Sequence, residues 1–470
     1  MKTFQYELVV VGAGSGGYAA ARTARDLGAS VAIVDHGPLG GLCILKGCMP
    51  SKTLLASSDL VYEIREGPVL GVHTAAPRID LGQIIARKRE VIAGFADFRI
   101  EGIKSFPLYE GQARFESTTR LIVGDDVTLE AKSFIIATGS VVAPPAVLGL
   151  EEAGYIDSDA VLDSFHLPKS IVVLGGGYVG AELGQFLARM GAETTFLIRA
   201  KHLLSPEDSD VGEAVTMEFR QEGIGVRTGS VPSHVELRDG KKVVHYVRDG
   251  KHESIAAEEI FYAFGRVPNI AGLDLDAAGV RCHAITGIEV GTDMRTCVPN
   301  VFAVGDVTGV HPLVHVAIYQ GELAARNAVT GSSERADYSL QKAHTIFTDP
   351  QVAIVGETEK QLRAAGIDYV TGSYPFSDLG KAISINKTKG FVKMMASPHD
   401  GKILGAAIVG AEASNLIHEV IVAMYYGGTV HDFVKIPHLH PTLAEILTYP
   451  AEEIVGLIAA REKTAVAAGA

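Results

Sequence analysis

Cysteine is scarce in this chain, with four residues in 470. That is too few for a disulfide scaffold and fits a reducing compartment. Excess positive charge is lacking as well. Lys and Arg number 42 against 55 Asp and Glu, a formal net charge of -13. This argues against a nucleic-acid surface or an anionic membrane partner, while local basic sites for phosphates stay open. No apolar stretch of transmembrane length runs free of charges and turn residues. The first apolar strand begins near Tyr6, which leaves no room for a signal peptide. The expectation is a soluble cytoplasmic protein without nucleic-acid or membrane partners.

Apolar residues make up 47% of the chain, enough for large cores, and 470 residues point to two or three domains. Glycine is high at 52 residues, and much of it falls in clustered runs instead of low-complexity repeats, which suggests tight turns around nucleotides. Two segments look alike. The first runs Glu7–Val11, then Gly12-Ala13-Gly14-Ser15-Gly16-Gly17, an Ala-rich helix to Gly28, and Val31–Asp35. The second runs Ser170–Leu174, then Gly175-Gly176-Gly177-Tyr178-Val179-Gly180, a helix to Gly191, and Thr194–Arg199. Each reads as the βαβ unit of a doubly wound sheet. The repeats lie about 160 residues apart, with Gly139–Pro145 and Arg266–Asn269 as crossings between two nucleotide domains. From Tyr338 onward short β-like runs such as Gln351–Val355 and Gly390–Met394 alternate with turns, and a helix is expected from Ala413 to Tyr426.

Gly12, Gly14 and Gly17 sit between a strand and a helix, and Asp35 closes the second strand. Glycines there let backbone amides approach a pyrophosphate at a helix N-terminus, and Asp35 can accept from a ribose hydroxyl. Gly175, Gly177, Gly180 and Gly184 form the all-glycine pattern usual for NAD. Yet Ile198-Arg199 stands where an acid would hold the 2′-hydroxyl. Arg199 and Lys201 suit the 2′-phosphate of NADP, so the lean is slightly towards NADP; the alternative is a solvated strand-end charge.

Cys43 and Cys48 lie five residues apart in Gly40-Gly41-Leu42-Cys43-Ile44-Leu45-Lys46-Gly47-Cys48-Met49-Pro50-Ser51-Lys52. Buried structural thiols, half a zinc site and a redox dithiol are the three readings. Zinc would need two more ligands, and none is near in sequence. Pro50 suits the first turn of a following helix, whose N-terminus would favour a thiolate at Cys48. The redox reading is preferred. Near the end stands His438-Leu439-His440-Pro441-Thr442-Leu443-Ala444-Glu445. An imidazole oriented by a carboxylate serves as base for thiol attack and as proton donor to a leaving thiol.

Together these motifs resemble the pyridine nucleotide-disulfide oxidoreductases over residues 6 to 460, nearly the whole chain. The resemblance implies α/β architecture: two doubly wound Rossmann-like nucleotide-binding domains plus a C-terminal α+β dimerisation domain. The FAD-binding domain would be 1–147 with 268–337, the NAD(P)-binding domain 148–267 and the dimerisation domain 338–470. Cys43 then looks like the interchange thiol that attacks substrate and Cys48 like the thiol that contacts the flavin. Lys52 would sit near the flavin, partnered by Glu182, and Tyr178 matches a residue that in some members covers the flavin. Ala113, Thr138, Gly139, Asp306 and Val314 would join Gly12, Gly14, Gly17 and Asp35 around FAD. Gly265 would join Gly175, Gly177, Gly180, Tyr178, Glu182, Arg199 and Lys201 around NAD(P). His440 and Glu445 match the family dyad, which comes from the partner subunit, so a homodimer with composite sites is implied.

The chain departs from the pattern at Leu42, Leu45 and Lys46 around the cysteines, which puts routine lipoamide specificity in doubt. Ser15, where lipoamide dehydrogenases commonly have Pro, points the same way. No C-terminal Cys-Cys pair is present, which disfavours complete mercuric reductase chemistry. The reading is an FAD enzyme moving two electrons between NAD(P)(H) and a disulfide or dithiol, dihydrolipoamide dehydrogenase-like. The alternatives are a reductase of glutathione or another small disulfide, or a flavin-bearing subunit of a thiol-handling assembly. Cys282 and Cys297 are expected to be buried structural thiols, and no metal is expected.

Overall fold

The computed structural model describes residues 2–469. The chain forms two compact units. The first comprises residues up to 54, 82–144 and 265–341; the second comprises 55–81, 145–264 and the chain from 342 onward.

In the first unit, strand Lys2–Val11 lies between Val31–Asp35 and Val127–Ile136, parallel to both. Leu108–Glu110 extends one side, and Val301–Ala303 pairs in parallel with Val127–Ile136. An antiparallel extension runs through Arg120–Val123 to Ala113–Ser117. The continuous apolar run of the first strand follows from burial on both faces. Val9 and Val11 enter one core with Phe115, Phe134 and Val301, while Leu8 and Val10 enter another with Ala20, Ala24 and Leu323. Full burial of one such valine or leucine is worth about 1.5–3 kcal/mol.

The second unit holds a four-stranded parallel sheet in the order Gly225–Arg227, Glu193–Leu197, Ser170–Leu174, Glu259–Tyr262. Helix Tyr178–Met190 follows its central strand. A five-stranded antiparallel sheet is built from His344–Ile346, Gln351–Gly356, Ile403–Gly410, Phe391–Ala396 and Val370–Pro375. The helix expected from 413 spans Ala413–Tyr425 and buries Ile417 and Val420.

Two expectations need correction. Cys282 and Cys297 are exposed, not buried. Cys282 lies on the short hairpin strand Cys282–His283, and the Cys297 thiol points at the Gly279 carbonyl, 3.2 Å away. Arg199 lies two residues beyond its strand, which ends at Leu197.

Candidate active site

Gly41 caps a short helix, Leu42–Leu45, and Cys48 opens the long helix Cys48–Glu66. Cys43 therefore sits in a single turn, and Cys48 sits where unpaired helix amides favour a thiolate. Both are thiols. A hydrogen bond with Cys48, and then burial, raise the proton affinity of Cys43 well above that of an ordinary thiol. A second proton is hard to remove from so close a pair, so the two sulfurs titrate as a unit. The loop is held from below: Ile44, Leu45 and Met49 pack on Ile92, Ala96 and Ile100 of helix Leu81–Lys104. Leu45 is thus a packing residue of this loop.

The cysteine loop closes on the first glycine turn, since a Cβ on Gly41 would lie 2.7 Å from the Gly14 Cα. Within that turn the glycines divide by task. A Cβ on Gly17 would lie 1.9 Å from the Gly12 carbonyl oxygen, so packing demands glycine. On Gly14 it would meet only the Gly41 Cα, at 4.0 Å, so glycine there leaves space at the N-cap of helix Ser15–Asp26, which carries no side-chain cap. Open space against unsatisfied amides suits a pyrophosphate. The Asp35 carboxylate accepts from Ala13 N and from Gly37 N, each at 2.7 Å, and retains lone pairs for a ribose.

Thr138 Oγ1 donates to the Asn269 carbonyl at 2.7 Å, tying the Thr138-Gly139 crossing to the return strand. Asp306 sits on the turn Gly305–Thr308 and accepts from Ser140 Oγ at 2.7 Å, while Arg266 Nε donates to the same Oγ at 3.0 Å. Gly265, at the same crossing, accepts from Ala143 N at 3.0 Å. Ala113 opens its strand fully buried, and Val314 opens helix Val314–Thr330.

In the second unit the division of glycines repeats. A Cβ on Gly175 would lie 2.4 Å from the Ala263 carbonyl oxygen and one on Gly180 would lie 2.9 Å from the Gly175 oxygen, whereas Gly177 has open space. Tyr178 begins the helix, and its hydroxyl donates to the buried Glu207 carboxylate. His344 stacks on the Tyr178 ring with centroids 5.6 Å apart, and its Nε2 lies 3.1 Å from Glu207 Oε1. Burial alone would depress the His344 pKa, but the Glu207 carboxylate outweighs it and the imidazole titrates above its ordinary value. Burial, then the Glu207 charge, raise the Tyr178 phenol. Glu182 is buried and accepts from Phe347 N at 2.8 Å. Lys52 belongs to the first unit and Glu182 to the second. Arg199 and Lys201 are exposed.

The C-terminal dyad is formed: His440 Nδ1 lies 2.8 Å from Glu445 Oε1. Glu445 is oriented by Thr442 N, which donates to Oε2 at 2.8 Å, and that bond, then His440, hold its carboxyl below the usual range. The imidazole is 79% exposed, leaving its second nitrogen accessible. His438 has a separate role, bonded to Glu419 Oε1 at 2.6 Å and to the Ile436 carbonyl.

Sequence reasoning missed Ser140 and Arg266 beside Asp306, and Glu207 and His344 around Tyr178. No local pattern marks them, because each partner arrives from a distant segment. Among the described residues no cluster of His, Cys, Asp and Glu could hold a metal ion, and no helix is long and apolar enough to cross a membrane.

Comparison with known proteins agrees with this assembly. Residues 6–321 match the family model for pyridine nucleotide-disulphide oxidoreductases, and residues 342–451 match that family's dimerisation domain. A dihydrolipoyl dehydrogenase of Geobacillus stearothermophilus is 36% identical over 457 residues, covering 96% of both chains. A mercuric reductase of Bacillus cereus is 32% identical over 446 residues, covering 94% of this chain and 70% of that protein. The solved Cu(II) complex of the HOCl-induced flavoprotein disulfide reductase RclA from Escherichia coli superposes with a TM-score of 0.84 at 25% identity, covering 96% of this chain and 99% of that one. With cysteine loop, two glycine turns and His–Glu dyad on the matching framework, the chain belongs to the pyridine nucleotide-disulphide oxidoreductases, which work with FAD and a pyridine nucleotide.

Proposed function

We propose that Cys43 and Cys48 are the redox dithiol of this enzyme, acting in the manner of a dihydrolipoyl dehydrogenase on a disulfide or dithiol substrate. The observation that carries this reading is the hydrogen-bonded thiol pair at a helix N-terminus, on a loop closing against the first glycine turn. Bound flavin would supply two-electron exchange between the pyridine nucleotide and this dithiol. Gly12, Gly14, Gly17, Asp35, Ala113, Thr138, Gly139, Asp306 and Val314 would hold it, with Lys52 beside it. The open space at Gly14 supports that fit.

In the reductive direction the Cys43 thiolate attacks one sulfur of the substrate disulfide. The substrate S–S bond breaks, a mixed disulfide forms, and the departing thiolate takes a proton from His440 Nε2, with Glu445 holding the ring through Nδ1. Cys48 then attacks the Cys43 sulfur, releasing the second substrate thiol and leaving the Cys43–Cys48 disulfide oxidised by two electrons. The lipoyl direction runs the same steps backwards. The match to the dimerisation domain supports a homodimer in which His440 and Glu445 serve the partner's cysteines. The region 1–147 with 268–337 would bind FAD, 148–267 the nicotinamide, and 338–470 would form the interface. Arg199 and Lys201 support a slight preference for NADP over NAD.

Cys48→Ser is expected to retain bound FAD and to lose steady-state disulfide turnover, because the mixed disulfide can no longer be resolved. Unchanged turnover sinks the relay. Mixing Cys43→Ala with His440→Ala chains is expected to restore activity in verified heterodimers; none restored argues against a composite site.

A second reading is a reductase of a small disulfide. It is favoured by the departures at Leu42, Leu45 and Lys46 from the lipoamide pattern, with Leu45 packing on helix Leu81–Lys104.

A further inference from the structure

Helix Tyr178–Met190 is docked along one side by the segment 344–349. Phe347 N donates to Glu182 at 2.8 Å, and Gln185 exchanges two hydrogen bonds with the Asp349 backbone at 2.8 Å each. Arg189 pairs with the Asp349 carboxylate at 2.7 Å. These contacts hold the helix without its first residue. Tyr178 is fastened separately, by its hydroxyl on Glu207 and its ring on His344.

Glu207 is buried and comes from the segment between strand Glu193–Leu197 and helix Ser209–Gln221. Lys360 donates to its backbone carbonyl, and its neighbour Asp208 accepts from Glu359 N and Lys360 N at 3.0 Å each. The Glu207 carboxylate thus has a fixed place. His344 has one too: Nδ1 lies 3.1 Å from the Lys342 carbonyl and Nε2 3.1 Å from Glu207 Oε1. Both partners only accept, so the ring donates from both nitrogens and is an imidazolium. A buried ion pair returns little net stability, because desolvation offsets the attraction. What this pair fixes is the position of a phenol.

Tyr178 opens the helix directly after Gly177, which has open space at its Cβ position and gives the helix no side-chain cap. The amides there are those a pyrophosphate would take. Side chains on a helix lean towards its N-terminus. A ring at the first position, left free, therefore leans back over those amides in part of its rotamers. We propose that Glu207 and His344 are positioning residues for the pyridine nucleotide: they hold the Tyr178 ring aside and keep the amides of the second glycine turn open to a pyrophosphate. The inference rests on the reading that residues 148–267 bind the nicotinamide nucleotide.

The test is anaerobic stopped-flow reduction of the FAD-loaded protein by NADH and by NADPH, which needs no disulfide. The dependence of the rate on nucleotide concentration yields an apparent Kd and a limiting rate. Glu207→Ala and His344→Ala are each expected to raise the apparent Kd about three- to tenfold, because only a fraction of the freed rings leaves the turn clear. The limiting rate is expected to stay within about twofold, since the nucleotide reacts as before once bound. Glu207→Gln, whose amide oxygen still accepts from the phenol, is expected to shift the Kd less. Tyr178→Ala is expected to suppress the effect. With no ring to fall across the turn, adding Glu207→Ala or His344→Ala leaves the Kd where Tyr178→Ala alone puts it. A residue that merely stabilises the fold would keep its effect in that background.

An unchanged Kd in both alanine variants, or an equal rise in the Tyr178→Ala background, overturns the inference. If Glu207→Ala does not fold, His344→Ala and Glu207→Gln decide it by the same comparison. Gly177→Asp separates the inference from the reading beneath it. A helix accepts an acid at its N-cap, but here the carboxylate takes the pyrophosphate's place and is expected to raise the Kd more than about tenfold. Flavin reduction untouched by Gly177→Asp rejects nucleotide binding at this turn. A Kd raised by Gly177→Asp and unmoved by the Glu207 and His344 substitutions overturns the inference alone.

Discussion

The two glycine turns begin as near copies and part at the same offset along the chain. In the first, Asp35 closes the second strand and its carboxylate binds Ala13 N at 2.7 Å. In the second the matching position is Ile198, which is buried at 3% exposure and packs where a Cβ on Gly176 would come within 2.7 Å of it. One turn is braced by a charge, the other by an apolar side chain. At the next divergence, Ser15 of the first turn becomes Tyr178 in the second, held by Glu207 and His344. The common part is the packing that closes a βαβ unit, and the divergent part faces whatever each turn binds. What a ligand meets is therefore set by residues at the rim of a shared scaffold.

The largest expected effect tests the shared part. Gly17→Ala would force a Cβ to within 1.9 Å of the Gly12 carbonyl oxygen, backbone against backbone. The variant is expected to purify without flavin or not to fold, as read by the flavin absorbance of the pure protein. Gly180→Ala meets the corresponding oxygen at 2.9 Å. It is expected to keep its flavin and cost about 1–3 kcal/mol of stability by denaturant titration. Equal damage from both substitutions would break the claim that the two turns are packed to different tightness.

These contrasts also mark what was legible in the sequence. The glycines, Asp35, the cysteine loop and His440 with Glu445 stand out because their partners lie within a few residues or repeat a spacing set by backbone geometry. The dyad bond and the thiol pair are local in that sense. Glu207, His344 and Ser140 were invisible as site residues. Each is an ordinary residue on a loop or strand until folding carries it beside Tyr178 or Asp306. Cys282 and Cys297 were misread for the opposite reason: free cysteine is more often buried, and these lie exposed on short segments whose surroundings no periodicity reveals.

A smaller effect sharpens the rim. Arg199 is exposed and, among the described residues, without a hydrogen bond or ion pair, and no acid stands before it. Arg199→Glu is expected to lower kcat/KM for NADPH by about 10- to 100-fold, the loss of one or two charge-assisted bonds. The effect on NADH should be much smaller, as measured by steady-state kinetics with both nucleotides. Equal effects on the two would assign Arg199 to the solvated surface. Asp35→Asn should weaken FAD retention by only a few-fold, since one amide oxygen replaces two charged acceptors and about 1 kcal/mol is at stake. Equilibrium dialysis against free FAD reads that shift.

The smallest effect concerns the Tyr178 side of the comparison and depends on pH. His344 has a folded pKa raised above its ordinary value, because the Glu207 carboxylate outweighs burial. A group raised on folding binds its proton more tightly in the native state. Its contribution to stability is therefore complete below the unfolded histidine pKa and disappears as pH rises through the folded one. The melting temperature of the wild type minus that of His344→Gln should be largest on the acid side of the ordinary histidine value. It should narrow as pH rises above that value, by on the order of 1–3 °C in all. The first turn has Ser15 at the Tyr178 position and no such histidine, so Ser15→Ala should show no matching pH dependence. A difference that widens as pH rises would mean that His344 is bound neutral. Glu207 would then hold Tyr178 as an acceptor alone, and the second turn would differ from the first by a hydrogen bond and not by an ion pair.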